Sequence, residues 1–338
     1  MKSKLLLSCA VALGLVFAAS FGAVAATTIK LAHSSPATND RLEAACQIFK
    51  KYVEEKTGGA VKVDTFPGSQ LGAEREQLEG VQMGSIEMAA LSAGPFPTLF
   101  AEIMVFDIPF LFASEEIAYK IMDGPVGTEL REKFRQKTGV RCVAFGENGF
   151  RNFTSNVAVT KPEDLKGLKI RVMENPAHMQ MVRELGAIPT PIPFSELYTA
   201  LSQGVVDAQE NPASLVESMR FYEVQKFMVL DRHVYNPYLL IMNDDFYKAL
   251  TPEQQKVIDE ASQLFAKEER RLNREQIASG IGRMQKAGLT VTELEPGALE
   301  RFRAMVQPKV VETIKKQVPP ATVDAFVKAV AEAEASTK

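Results

Sequence analysis

The sequence predicts an α/β fold of two lobes, built on mixed sheets flanked by helices, with one long helix spanning both lobes. Three observations carry that prediction. Residues 167–212, GLKIRVMENPAHMQMVRELGAIPTPIPFSELYTALSQGVVDAQENP, run strand, helix, strand, helix, strand, which is the order of a parallel sheet with crossovers. Thr251-Pro252 starts a helix that meets no breaker until Gly280 and Gly282; carried on to Lys286 it would measure about 50 Å at roughly 1.5 Å per residue, longer than one lobe. The chain has 338 residues, 46% of them apolar, enough for two cores of ordinary size.

Residues 1–25 read as a secretory signal. Lys2 and Lys4 give a basic start, 5–19 an apolar core too short to span a membrane, and Ala23-Val24-Ala25 a small-residue cleavage site. The mature chain then begins near Ala26, outside the cytoplasm. Losing Lys2 and Lys4 takes the 39 basic residues to 37 against 42 acids, and the net charge from −3 to −5. That balance favours solubility and argues against a nucleic-acid partner, which would want a basic face. Cys46 and Cys142 remain after cleavage; in an oxidising compartment they are open to pairing, and the plainer reading is two buried thiols on a helix and a strand.

The elements follow in chain order. Residues 28–33 form a first strand ending at His33, and Ser34-Ser35-Pro36 leads to a helix over 40–56. Asn39 is its expected cap, Leu42, Cys46, Phe49 and Val53 recur at helical spacing, and Gly58-Gly59 stops it. Residues 61–66 alternate as a strand before the Pro67-Gly68 turn. A small-residue loop at 68–72, a helix at 73–83 and a buried strand at 86–91 end in the turn Ser92-Ala93. The proline- and phenylalanine-rich run 95–112 packs as a loop on apolar surface, with Phe96 alone facing the cleft because it follows the turn.

Helices at 115–122 and 127–137 precede a strand at 140–145, and 146–149 crosses between lobes. A capped turn at 161–167 leads into the central stretch, where strands at 168–172, 188–192 and 205–209 alternate with helices at 176–185 and from a Ser195 cap to Gly204. Strands at 227–230 and 238–242, a helix at 244–250, the long helix, and helical cover at 299–311 and 321–333 complete the chain. With no repeat or flexible linker, the lobes are interleaved. Lobe I takes 26–148 and 237–276, lobe II takes 149–236 and 277–338, and the chain crosses near Glu147, near Asn236 and inside the long helix.

Parallel sheets bind ligands outside the carboxyl ends of their strands, which is where Arg171, Phe194 and Asn211 fall. A guanidinium matches a carboxylate with two parallel hydrogen bonds, which lysine cannot reproduce. By default an arginine at a strand end is a solvated charge, a phenylalanine at a helix entry is core, and asparagine before proline is a turn. No HExxH, CxxC, GxSxG or P-loop lysine motif is present, and His33, His178 and His233 lack metal spacing. Neither cofactor nor metal is expected.

The central stretch resembles the signature of the extracytoplasmic solute-binding proteins of TRAP transporters, the tripartite ATP-independent periplasmic family of DctP-type receptors. The resemblance is carried by Arg171 in KIRV, by Gly186-Ala187 followed by PTP-I-PF-SE-LYTAL, and by Gly204-Val205-Val206-Asp207 followed by Gln209-Glu210-Asn211-Pro212. The run 149–156, with Arg151, resembles the family's second arginine-bearing stretch. The resemblance implies a periplasmic binding protein-like fold that closes on a small organic acid and docks with TRAP membrane permease subunits, fuelled by an ion gradient, with no nucleotide bound. It implies a salt bridge from Arg171 to the ligand carboxylate, a second cationic contact from Arg151 in competition with an ion-pair role, a polar contact from Asn211 and a stacking ring from Phe194. His33, Ser92, Phe96, Asn175 and Tyr235, on strand ends and turns, complete the expected ligand set; His178, beside Met179 and Met181, is read as facing packing or a lobe edge. The receptor is expected to be monomeric and periplasmic. A secreted α/β enzyme using Arg171 as a substrate clamp and the solute receptor of an ATP-driven importer are the competing readings.

Overall fold

The computed structural model describes residues 27–337, so the expected signal segment lies outside the described residues. The chain opens with Thr27–Ala32 (β1), Arg41–Lys56 (α1), Val61–Phe66 (β2), Glu74–Met83 (α2) and Met88–Ser92 (β3). Val61 and Val63 are buried while Lys62 and Asp64 are exposed, the alternation of a strand with one covered face. The cap of α1 is Asp40 and not Asn39: the Asp40 carboxylate accepts from the N–H groups of Leu42 at 2.8 Å and Glu43 at 3.4 Å. Asn39 sits one residue earlier at φ 56°, a turn position that asparagine tolerates.

Glu115–Asp123 (α3) and Pro125–Thr138 (α4) follow, then Val140–Ser155 (β4). The central stretch supplies Lys169–Val172 (β5), Pro176–Glu184 (α5), Ile188–Pro191 (β6), Leu197–Ser202 (α6) and Ala208–Pro212 (β7). Ser195 is not a cap, because a 3-10 turn over Phe194–Glu196 precedes α6 and no side chain caps it. Asn211 lies inside β7, paired with Asn152, since pairing with β4 carries that strand to Pro212. Next come Ala213–Ser218 (α7), Phe227–Val229 (β8), Val234–Asn243 (β9), Asp244–Ala249 (α8) and Pro252–Lys286 (α9). Thr290–Thr292 (β10), Ala298–Lys315 (α10) and Pro320–Ala335 (α11) close the chain. The start of α9 is a capping box in which Thr251 and Gln254 satisfy each other's backbone N–H groups, with Pro252 at the first helical position.

The expected mixed sheets merge into one hydrogen-bonded path of ten strands, ordered β2-β1-β3-β9-β4-β7-β5-β6, with β8 on β4 and β10 on β8. Parallel wings, β2-β1-β3 on one side and β7-β5-β6 on the other, are joined by the long antiparallel pair β4 and β9. The sequence ended a strand at Phe145, but β4 runs on through 146–149 with register slips between Cys142 and Ala144 and between Glu147 and Gly149. A bulge bends a strand without ending its pairing, and Gly149, at φ +105°, supplies the backbone conformation that the second slip requires. The Glu147 N–H, displaced by that slip, donates to the Glu269 carboxylate of α9 at 2.6 Å.

Packing explains the long helix. One core cluster runs unbroken along one face of the sheet, from Val81 and Leu91 through Phe145 and Phe153 to Ile170 and Phe302. The opposite face carries two separate clusters, one around Phe49, Leu240 and Phe265, the other around Leu197, Val216 and Phe221. The α9 helix contributes Ile258 and Phe265 to the first and Met284 to the second, so it bridges a gap that no other core fills. Cys46 and Cys142 are free and buried, and burial pushes both thiols above their usual range, which makes them poor nucleophiles.

Candidate functional site

The gap between those two clusters is lined where β5 and β7 end. Ile170 and Val172 enter the continuous core, so Arg171 between them must face the other way. There it lines a narrow cavity together with Arg151, Asn211, Phe194 and Ser92, five of the nine residues expected from sequence. Ser34, Glu74, Asn148, Met173, Leu215 and Tyr238 complete the wall. The space left for the centre of a water-sized sphere is about 10 Å³, roughly one water molecule. A second recess of about 170 Å³ lies immediately outside, between the start of α2 and Ile192-Pro193-Phe194, and shares Glu74, Arg171, Met173 and Phe194 with the inner wall.

Arg171 is 1% exposed, its Nε donates to the Ile192 carbonyl at 2.8 Å, and its Nη1 has no partner among the described residues. No carboxylate lies in ion-pair contact with it among the described residues, and the Phe194 ring centroid sits 6.0 Å from its Cζ. Burial, reinforced by the neighbouring Arg151 charge, pulls its pKa down to about 10. A desolvated cation without a counter-ion is unfavourable in a folded protein and is an anion site in waiting.

Arg151 is differently placed. Its Nε and Nη2 bond the Glu210 carboxylate, the Nη2 contact to Oε1 measuring 2.8 Å, and Nη2 also bonds the Glu210 carbonyl. Glu210 is gripped from two further sides, by His178 Nδ1 at 3.5 Å and His233 Nε2 at 3.2 Å. Each histidine holds a second acid: His178 Nε2 lies 3.1 Å from Asp107 and His233 Nδ1 2.8 Å from Asp231. Burial alone would favour a neutral His178, but Asp107 and Glu210 outweigh it and raise its pKa to about 9. Burial likewise opposes charge on Glu210, and Arg151 and His178 hold its carboxyl well below the usual range. Arg151 therefore stands in a buried ion pair and still forms part of the cavity wall, while His178, read from sequence as packing or a lobe edge, lies between two of the acids around it.

Four expected residues stand elsewhere. The His33 ring turns behind the first strand to Glu43 Oε2 at 2.6 Å, because α1 brings that acid over the strand end. Phe96 is fully buried against Phe134, ring centroids 5.6 Å apart, since the turn it follows points it into the continuous core. Asn175 caps α5, accepting from Ala177 N–H, and its amide nitrogen donates to Asp107 at 2.8 Å. Tyr235 packs against Phe150 and Phe112, at 5.2 and 5.6 Å between centroids. Sequence reasoning missed Glu74, which reads as an ordinary acid in the first turn of a helix, and Asn148, which the bulge in β4 turns into the wall. The alternation of β9 was readable and puts Tyr238 on the cavity side with Leu240, opposite Leu239.

Residues 31–317 match the family model described as bacterial extracellular solute-binding protein, family 7. A solute-binding protein of Verminephrobacter eiseniae is 42% identical over 272 residues, covering 80% of this chain and 81% of that protein. Among solved structures, the sugar acid binding protein DctPAm from Advenella mimigardefordensis in complex with galactonate aligns with a TM-score of 0.88 at 31% identity, covering 91% of this chain and 99% of that one. A TRAP periplasmic solute binding protein from Shewanella oneidensis with bound succinate aligns with a TM-score of 0.86 at 29% identity, covering 90% of this chain and 100% of that one.

Proposed function

The chain belongs to bacterial extracellular solute-binding protein family 7, the TRAP-type receptors for small organic acids, and on that premise we propose that Arg171 grips its ligand's carboxylate between two closing lobes. Members of the family are receptors and not enzymes, which sets aside a secreted enzyme, and the likeness to TRAP receptors sets aside an ATP-driven importer. The observation that carries the clamp is the buried Arg171 guanidinium in the cavity wall, whose Nη1 has no partner among the described residues. A carboxylate would meet its free fork with charge-assisted bonds and remove the cost of burying it alone. Arg151, fixed by Glu210, would hold the far side of the site rigid.

On this reading the lobes would be those expected from sequence, 26–148 with 237–276 and 149–236 with 277–338, hinged where β4 slips register. Two contacts support a shut form. Arg75 of α2 meets Glu174, beyond β5, at 3.2 Å, and Ser92 Oγ touches Met173 Sδ at 3.4 Å. The 10 Å³ interior has room for about one water molecule, so binding would proceed through an open form and end in a closed form widened to hold the ligand. The closed, loaded receptor would then dock in the periplasm with the membrane permease and deliver the acid.

A thermal-shift screen of organic acids on the mature chain, followed by calorimetry of the hits, tests the reading; a chain that binds no carboxylate, or that turns its ligand over, refutes it. Closure has its own test. A Cβ at Gly94 would lie 2.0 Å from Met173 Sδ, so Gly94→Val should wedge the two apart without touching the arginine. If the variant cuts the closed population to a tenth, affinity falls about tenfold and the ligand-induced decrease in radius of gyration shrinks with it. Full compaction with full affinity in that variant would exclude closure across this contact.

A further inference from the structure

The bulge in β4 is tied to α9 by one buried acid. Glu269 is fully buried, and its Oε2 accepts the Glu147 N–H at 2.6 Å; Gly146 leaves the room for this approach, since a Cβ there would lie 2.9 Å from the same oxygen. Its Oε1 faces Arg41 Nε of α1 at 3.5 Å and has no hydrogen bond among the described residues. Arg41 in turn reaches the ligand cavity. Its Nη2 donates to Asn148 Oδ1 at 3.1 Å, and its Cζ lies 5.5 Å from the centre of the Tyr238 ring; Asn148 and Tyr238 both line the cavity. Asn236 Oδ1 accepts from Asn148 Nδ2 at 3.0 Å and from Ser92 Oγ, also of the wall, at 2.9 Å. A line of contacts thus joins the register slip, the long helix and the cavity.

The charges along this line do not balance. Arg41 is buried between two acids, Asp40 Oδ2 and Glu269 Oε1, each at 3.5 Å. The cations nearby are engaged elsewhere: Arg274 bonds Glu147 at 3.1 Å, and Arg270 bonds Asp123 at 2.6 and 2.9 Å. Cys46 of α1 and Tyr235 and Tyr238 of β9 face the same cluster as neutral groups, their ionisation pushed up by burial. One acid is therefore in excess, and a bound proton restores the balance. Burial raises the Glu269 carboxyl to about 8, and the Glu147 charge adds to the rise against the pull of Arg41, the Glu147 N–H and Arg270.

We infer that Glu269 and Arg41 are positioning residues for the ligand cavity and form a proton-linked latch: protonated Glu269 holds the β4 slip in the closed arrangement, and Arg41 then aims Asn148 at the ligand. The lobes turn where β4 slips, so opening draws the Glu147 N–H off α9 and admits water to the carboxyl, which then releases its proton. Closing on a ligand takes the proton back. The latch needs the closure proposed above, so it rests on that reading and adds a proton taken up with each ligand.

Calorimetry on the mature protein with succinate, D-galactonate and any stronger hit of the thermal-shift screen, run in phosphate and in Tris at one pH, counts the protons that accompany binding. Wild type should take up about half a proton or more at pH 7, and its affinity should fall about tenfold from pH 7 to pH 9. Glu269→Gln imitates the protonated acid, so its affinity should lose this pH dependence and exceed that of wild type about tenfold or more at pH 9, a gain that damage to the fold does not give. Binding without proton uptake overturns the latch. So does an uptake that persists in a folded Glu269→Gln chain, because it would belong to His178 or His233. If the variant fails to fold, infrared spectroscopy of wild type decides: the carbonyl band of a buried neutral carboxyl should be present in the loaded protein and absent from the free one, and a loaded protein without it overturns the latch. Failure of the receptor reading looks different: then no acid binds in either buffer, or binding survives Arg171→Ala.

Discussion

Arg171→Met is expected to abolish organic-acid binding and, in the same protein, to raise the melting temperature. The two halves follow from one fact. The guanidinium is buried, its Nη1 is unpartnered and its pKa is drawn down to about 10, so the fold carries a charge that has no ion-pair contact among the described residues. Each charge-assisted bond to a ligand carboxylate contributes about 1.5 to 3 kcal/mol, and a fork makes two, so losing both weakens binding by roughly 10² to 10⁴-fold. Methionine fills much of the same volume without the charge, and replacing buried ionic groups by apolar ones is often stabilising by about 1 to 4 kcal/mol. The Phe194 contact and the bond to the Ile192 carbonyl are lost as well, which keeps the expected gain at the lower end, about 1 kcal/mol or a few degrees. Arg171→Lys keeps the charge and loses the fork, and should recover little affinity. Calorimetry of binding and of unfolding on the two variants decides it. A folded methionine variant with wild-type affinity removes the clamp; one that melts several degrees lower shows that the arginine holds the fold together.

The parts of the molecule that were readable from sequence are those where one residue's neighbours fix its direction. KIRV alternates, Ile170 and Val172 belong in a core, and Arg171 has only one face left. The long helix was readable because Thr251-Pro252 starts it and no breaker follows. What stayed hidden depends on partners distant in sequence. His33 ends a strand just as Arg171 does, but α1 lays Glu43 across it, and no local pattern encodes that. Phe96 follows a turn toward the cleft, yet Phe134, almost forty residues on, draws it into the core. Asn148 enters the wall only because β4 slips register against β9, and Glu74 looks in sequence like every acid that begins an exposed helix. The ion-paired centre was half visible: Arg151 and Glu210 stand in recognisable runs, whereas His178 and Asp107 reach Glu210 from a helix and a turn whose packing the sequence does not announce.

That centre gives the second large effect, a loss of stability on the alkaline side. His178 has a folded pKa of about 9 against about 6.5 for an unfolded histidine, so the folded state binds the proton more tightly. Its contribution is fully present below about pH 6.5 and disappears as pH rises through about 9; a shift of that size corresponds to about 3 kcal/mol. His233, also raised by Asp231 and Glu210, adds with the same sign. Glu210 acts in the opposite direction: its depressed carboxyl stabilises the fold above the ordinary glutamate range and is lost only as pH falls through the lower folded value. The groups facing His178 are Asp107 from the turn before α3, Glu210 from β7, and Arg151 from β4 beyond it. Urea unfolding should therefore give a stability that falls as pH rises: Glu269, which burial raises to about 8, contributes from the ordinary glutamate range upward, and His178 contributes up to about 3 kcal/mol between pH 6.5 and 9, the part that disappears in His178→Gln. Glu210→Gln should cost about 3 to 5 kcal/mol at neutral pH, because it leaves Arg151 and two histidines around a neutral amide. A stability profile that stays flat or climbs from pH 6.5 to 9 would mean that His178 is neutral in the folded protein, and that Arg151 is held by Glu210 without its help.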